Sequence, residues 1–248
     1  MAANSRPLIG RRIVTTRDER GRLDSLLALA GADVVHVPLI EIDAPDDGGR
    51  ALAVELGRLD TYRWLVVTSQ HGAQRVAAAA AQSPEVSLAA VGTRTADELT
   101  RYSGRAPAVV PQRQTAAALV DAMPSPSAGN TRLLVVQADR ADDKLAAGLE
   151  QKGFDVTAVV GYSTRLRSPT WAERRAALEA DAVTFASGSA ARSWAASFGD
   201  VTPAVVVVIG PTTRDVAVQV GLKVTHVAAD HSVEGLAAKT ASVFARRP

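Results

Sequence analysis

Cysteine is absent from the 248 residues, which excludes a disulfide framework, a zinc ribbon and thiol catalysis. Aromatic residues make up only 4% of the chain although apolar residues reach 47%. Alanine and valine supply most of the difference, a composition that suits parallel sheets under small-residue helices better than a β-sandwich. Lysine occurs only at Lys144, Lys152, Lys223 and Lys239, so the positive charge is almost all arginine. Genomic base composition explains such a bias; recognition of carboxylate or phosphate by guanidinium forks is the functional reading. Lys and Arg together number 28 against 26 Asp and Glu, and no basic run marks a nucleic-acid surface, so no nucleic-acid partner is expected. No apolar run reaches the roughly 18 residues needed to cross a bilayer. The start, M-A-A-N-S-R-P-L-I-G-R-R, lacks the apolar core of an export signal. The expectation is a cytoplasmic protein without a membrane partner.

Standard chemical signatures are missing as well. No G-x-G-x-x-G follows a strand pattern and no G-x-x-x-x-G-K-S/T occurs, which removes the main support for dinucleotide or P-loop chemistry. His36, His71, His226 and His231 have no metal-ligand spacing. No G-x-S-x-G elbow is present. Neither a metal nor a cofactor is expected.

What the chain does have is an alternation of short β-branched runs with alanine-rich amphipathic stretches. Candidate strands run from Arg12–Thr16 through Ala108–Val110 to Lys223–Val227, with helices such as His71–Ala81 and Ala190–Phe198 between them. That order predicts an α/β protein with parallel, doubly wound sheets. The pattern is also written twice. At an offset of 118 residues, Ser69 falls on Ser187, Gly92 on Gly210, Thr95 on Thr213 and Asp97 on Asp215. Arg12–Val34 resembles Arg132–Val156, with Gly31 on Gly153, and Thr115–Leu119 resembles Ser232–Leu236. Each copy holds about five strands, enough for one small doubly wound sheet. The turn-forming stretch Pro124–Gly129 is the sequence seam, while Val37–Ala44 and Val160–Pro169 read as extended crossings.

In open parallel sheets, ligands bind at the carboxyl ends of the strands. Gly92 and Gly210 sit at that edge, each between an apolar run and a helical pattern; glycine there can adopt positive φ or admit a ligand to the backbone. Thr95, Thr212 and Thr213 can cap those helices, with Pro211 suited to the first position. Ser69 in T-S-Q-H-G and Ser187 in A-S-G-S-A are caps of the same kind. Four such helix starts favour an anion, although most serines and threonines at helix starts only cap, and a duplicated scaffold duplicates its caps.

Taken in order, several stretches resemble the uroporphyrinogen-III synthase family. They are T-T-R (Thr15–Arg17), G-A-D-V-V-H-V-P (Gly31–Pro38), W-L-V-V-T-S (Trp64–Ser69), A-V-G-T-R-T-A (Ala90–Ala96), G-Y-S-T (Gly161–Thr164), A-V-T-F-A-S-G-S-A (Ala182–Ala190) and I-G-P-T-T (Ile209–Thr213). The resemblance implies two flavodoxin-like domains with an interdomain cleft: a discontinuous one over 1–38 plus 165–248, and an inserted one over 41–161. It implies a monomer whose partner is a linear tetrapyrrole, hydroxymethylbilane, cyclised with inversion of ring D and loss of water. Tyr162 matches the family's candidate general acid; the plainer reading is an amphipathic tyrosine at a domain junction. Thr95 and Thr213 match substrate-binding positions. Ser69, Ser187 and Ser189 would bind carboxylates with neighbouring amides, Arg17 and Arg94 would add charge, and Gln70, His71, Gly92, Gly188, Gly210 and Thr212 complete the substrate-contacting turns. Ala186 and Gly188 depart from the family's usual turn, and Val205 stands where some members are basic. A non-catalytic tetrapyrrole- or anion-binding sensor of the same fold is the alternative.

Overall fold

The computed structural model describes residues 6–126 and 129–245. Ser127 and Ala128 of the expected seam, and the first five residues of the N-terminal stretch, lie outside the described residues. In chain order the elements are β1 (Arg12–Thr15), α1 (Arg22–Leu29), β2 (Asp33–His36), β3 (Ile40–Asp43), α2 (Arg50–Leu56), β4 (Trp64–Val67), α3 (Gln70–Gln82), β5 (Ser87–Ala90), α4 (Thr93–Ser103) and α5 (Ala116–Ala122). The second half contains β6 (Arg132–Ala138), α6 (Lys144–Gln151), β7 (Asp155–Leu166), α7 (Trp171–Leu178), β8 (Ala182–Phe185), α8 (Gly188–Phe198), β9 (Val205–Val208), α9 (Pro211–Gln219), β10 (His226–Val227) and α10 (Val233–Phe244).

The chain divides into two compact units, one of Met1–Glu41 and Arg165–Pro248, the other of Ile42–Thr164. The first carries a five-stranded sheet in the order β10-β9-β8-β1-β2, with every neighbouring pair parallel. From the other edge this is the 2-1-3-4-5 order of flavodoxin-like sheets. The second unit's sheet runs β3-β7-β6-β4-β5, with β4 parallel to both β5 and β6, and β6 parallel to β7.

Central strands form where the sequence is continuously apolar, because helices cover both faces of a parallel sheet. Trp64–Val67 and Ala182–Phe185 are buried at all four positions. Alternate residues then feed opposite cores. Val14, Phe185 and Val208 meet Trp194 of α8 on one face of the first sheet, and Ile13, Ala182 and Val207 meet Leu27 and Leu236 on the other. In the second unit Leu65, Leu134 and Leu88 pack on Val76 and Leu99, while Val66, Val135 and Ala89 pack on Leu119 and Leu149. The repeat extends to helix pairs: α3 packs on α4 as α8 does on α9, and α5 on α6 as α1 does on α10.

Three expectations are revised. Ala108–Val110 is not a strand but a single bridge, Ala89 to Val109, because Pro107 and Pro111 flank it and proline cannot extend a ladder. The strand expected at Lys223–Val227 shrinks to His226–Val227 at a sheet edge. The chain does pass between the units within Val37–Ala44 and Val160–Pro169, but these extended crossings are paired rather than free, carrying β3 and the last part of β7. Among the described residues no helix is long and apolar enough to cross a membrane.

Candidate functional site

In the second unit the strand-end edge is built by β4, β5, β6 and β7. Ser69 ends the β4 turn and caps α3, its Oγ accepting from the Gly72 amide at 3.0 Å. Gln70 and His71 follow in the first helical turn, both half-buried. The His71 ring meets the ring of Tyr162 edge-on, with centroids 5.4 Å apart at 65°.

Tyr162 is brought there by an irregularity in β7. The register against β6 shifts between Gln137 and Ala138, so that Gln137 pairs with Val160 and Ala138 with Tyr162. Gly161 is the extra residue, and a β-carbon at this position would lie 2.6 Å from Cγ1 of Val136. An inserted residue reverses which face the following side chains point to. Gly161, Tyr162 and Ser163 are consequently buried in succession, with Tyr162 7% exposed. The Asp139 amide donates to the Tyr162 carbonyl at 3.0 Å, and the Thr164 amide to Asp139 Oδ1 at 3.2 Å, fixing the backbone on both sides.

After β5, Gly92 is the cap of α4 and contributes no side-chain hydrogen bond. Its φ of −147° is ordinary extended backbone, so positive φ is not why glycine stands there. Space is: a β-carbon would lie 2.5 Å from Oε1 of Gln114. Arg94 in the first turn is exposed, whereas Thr95 is 5% exposed.

The first unit repeats this arrangement. Ser187 caps α8, accepting from the Ala190 amide at 3.2 Å, and shares a 2.9 Å hydrogen bond with the Ser189 hydroxyl. Gly188 permits a close helix approach, since a β-carbon there would lie 2.9 Å from Cγ2 of Val216 in α9. Gly210 caps α9 in extended geometry with Pro211 at the first position; Thr212 is exposed and Thr213 is 5% exposed. On the β1 side, Thr15 donates to Asp24 Oδ1 at 2.6 Å while Asp24 Oδ2 accepts from the Gly21 amide at 2.9 Å. Arg17 is half-buried, and its carbonyl accepts a 2.9 Å hydrogen bond from the His36 ring.

Within the second unit the fold thus unites His71 and Tyr162 in direct contact, with Ser69 and Gln70 in the same turn and Gly92, Arg94 and Thr95 on the adjoining helix. In the first unit Ser187, Gly188 and Ser189 sit beside the helix that carries Gly210, Thr212 and Thr213. Sequence reasoning missed Gln114 and His231, the residues lying against the two glycine caps. The aligned helix starts at Thr115 and Ser232 had already put them in register.

Carboxylates with lowered pKa lie elsewhere. Burial works against ionisation of Asp181, but the Arg12 amide and the Arg11 guanidinium overcome it, at the amino ends of β1 and β8. Arg58, then the Tyr62 phenol, holds Glu55 below its usual range. Among the described residues no cluster of three or more His, Asp or Glu could hold a metal ion.

The family model described as uroporphyrinogen-III synthase HemD matches residues 21–238. The chain is 30% identical over 224 residues to the chloroplastic uroporphyrinogen-III synthase of Oryza sativa, covering 85% of this chain and 73% of that one. It is 29% identical over 170 residues to the uroporphyrinogen-III synthase of Synechococcus elongatus; that match spans 65% of this chain and 64% of the cyanobacterial protein, just under two thirds of its length. Among solved structures, uroporphyrinogen-III synthetase from Helicobacter pylori is similar with a TM-score of 0.62 at 17% identity, covering 94% of this chain and 99% of that one. A mutant uroporphyrinogen III synthase from Thermus thermophilus gives 0.56 at 16% identity, covering 94% and 98%. At those identities the structural likeness speaks to the fold.

Proposed function

The chain belongs to the uroporphyrinogen-III synthase family, and from that premise we propose that it cyclises hydroxymethylbilane to uroporphyrinogen III, inverting ring D and releasing water. Tyr162 is the general acid. Its phenol protonates the departing hydroxyl, the carbon–oxygen bond breaks, and the pyrrole nitrogen's electron pair leaves an azafulvene. The substituted carbon of ring D attacks the exposed methylene, giving a spiro intermediate that fragments and recloses with ring D reversed. Loss of a ring proton restores the aromatic pyrrole and the proton balance. Apart from the acid-assisted carbon–oxygen cleavage, every step is a proton transfer or a making or breaking of carbon–carbon bonds, with no net change of oxidation state.

Uncatalysed closure gives the other isomer, so the protein's main task is positioning. Helix starts at Ser69, Gly92, Ser187 and Gly210 are suited to the substrate's carboxylates, because their first-turn amides and dipoles favour anions. Thr95, Thr212, Thr213 and Ser189 add hydroxyl donors, and Arg17 and Arg94 add charge. We also assign a cytoplasmic monomer with no nucleic-acid partner.

The observation that carries the catalytic assignment is the bulge at Gly161, which turns Tyr162 onto His71 at the strand-end edge. The test is direct. Fresh hydroxymethylbilane is supplied and the uroporphyrin isomers are resolved after oxidation. The expected product is predominantly type III; a type III fraction no greater than the enzyme-free control would refute the proposal and leave the non-catalytic binding role.

A further inference from the structure

The two glycine caps are each overlaid by one side chain from a distant turn. At Gly210 a β-carbon would lie 3.1 Å from both Cδ2 and Cγ of His231; at Gly92 it would lie 2.5 Å from Oε1 and 3.3 Å from Cδ of Gln114. Both side chains belong to exposed residues. They also hold the same place in the repeat. Gln114 immediately precedes Thr115, the cap of α5, and His231 immediately precedes Ser232, the cap of α10. Similar positions, filled by different residue types, thus cover the same feature in each unit.

What they cover is open to a ligand. Ser69, Ser187 and Ser232 each accept a hydrogen bond from the third amide of their own helix. A glycine cap has no side chain to do so, which leaves the first-turn amides of α4, and those of α9 after Pro211, without a side-chain cap. The third residue of each of these helices is a threonine, Thr95 or Thr213, 5% exposed in both cases. Among the described residues neither hydroxyl has a hydrogen-bond partner. The Cα–Cβ bonds of a helix tilt toward its amino end, which puts both threonine β-carbons on the side of the glycine cap. Neither oxygen is itself sealed from the surface, so each hydroxyl is available to a ligand lying at the helix start.

We propose that Gln114 and His231 are substrate-carboxylate contacts, one in each unit, that lie across the α4 and α9 starts and close them over a bound carboxylate. The inference rests on reading the chain as a hydroxymethylbilane cyclase. An amide N–H of Gln114 and an imidazole N–H of His231 both donate to a carboxylate oxygen. Glycine at 92 and 210 is what lets these side chains lie so close to the helix start. The two cradles share the second and third amides and a threonine hydroxyl, and differ in the covering group and at the first position, where Pro211 has no amide.

The experiment compares His231→Ala, His231→Gln, Gln114→Ala and the wild type. Because both residues are exposed, the variants should fold with the wild-type thermal midpoint. Each alanine variant is expected to raise KM about tenfold, the effect of losing one hydrogen bond to a charged group, while kcat changes little. His231→Gln, which installs the second unit's residue, is expected to restore most of the lost affinity; a packing-only role would not give that split or that rescue. A wild-type enzyme that makes type III product alongside alanine variants of unchanged KM overturns the inference and leaves the proposed function standing. If the wild type makes no type III product, the same proteins are titrated with uroporphyrin III and fluorescence is followed. A similar loss of affinity in the alanine variants supports the contacts without the catalysis, and equal binding, or none, overturns them.

Discussion

Tyr162 owes its place to its neighbour. Gly161 lies against Val136 so closely that a β-carbon would fall 2.6 Å from Cγ1, and the shift in register there determines which way the phenol points. Gly161→Ala should therefore destabilise the second unit by about 1–3 kcal/mol, the usual range for overpacking, and lower activity by displacing the phenol. Trimming the obstacle in the double variant Gly161→Ala, Val136→Ala should recover part of the activity relative to Gly161→Ala alone. Urea unfolding and the isomer assay read both effects. Tyr162→Phe keeps the ring against His71 and removes the hydroxyl that carries the proton. It should lower kcat at least severalfold, toward the roughly hundredfold scale of general-acid catalysis. Wild-type kinetics in that variant would eliminate the acid role.

At the scale of elements, α2 shows how a helix with no sequence advertisement is held. Its seven residues end at Leu56, beside Glu55, whose carboxylate accepts from Arg58 Nε at 2.7 Å and Nη2 at 2.6 Å and from the buried Tyr62 phenol at 2.6 Å. The Arg132 guanidinium, at the start of β6, lies over the Tyr62 ring at 4.5 Å. Hydrogen bonds from Arg58 and then Tyr62 hold the Glu55 pKa below its usual 4.5. A carboxylate with a lowered folded pKa stabilises the protein above the unfolded value, and that contribution disappears as pH falls from about 4.5 through the folded pKa. Glu55→Gln should cost on the order of 1–3 kcal/mol at pH 7, with the difference from wild type shrinking below pH 4.5. Urea midpoints measured across that range test it; a difference independent of pH would show that the carboxylate's charge is not what stabilises.

The same contrast explains which elements were legible. Trp64–Val67 and Val205–Val208 announce themselves because a strand covered on both faces must be apolar throughout. β3 alternates half-buried and exposed residues at a sheet edge, so its I-E-I-D carries a weaker signal. α7 had one that was overlooked: Thr170 and Glu173 form a capping box, the threonine accepting from the Glu173 amide and the glutamate from the Thr170 amide. At the candidate site, the serine and glycine caps were readable from the repeat. The bulge at Gly161 was not, because it depends on register against another strand. Gln114 and His231 were not, because their relevance is a through-space contact with glycines some twenty positions earlier.

Over the whole chain, the discontinuous unit faces a folding problem that the inserted unit does not. β1 lies between β2 and β8, so the first unit's sheet cannot be completed until Arg165–Pro248 is available. The second unit is one continuous segment whose entry and exit strands, β3 and β7, are neighbours in the same sheet. Adjacent strands are about 5 Å apart. Once this unit has folded, it brings the flanking chain ends together and replaces a long flexible loop by a short link, reducing the closure entropy that the first unit must overcome. A fragment spanning residues 40–166 retains both strands whole and has its own two-sided core, at a size where independent folding is usual. It should unfold in urea as a single cooperative transition. A chain ending at residue 166 should show that transition and no second one, because β1 and β2 then lack β8. If the fragment is unfolded in buffer while the full chain is native, the second unit depends on the first and the order of assembly argued from the topology is wrong.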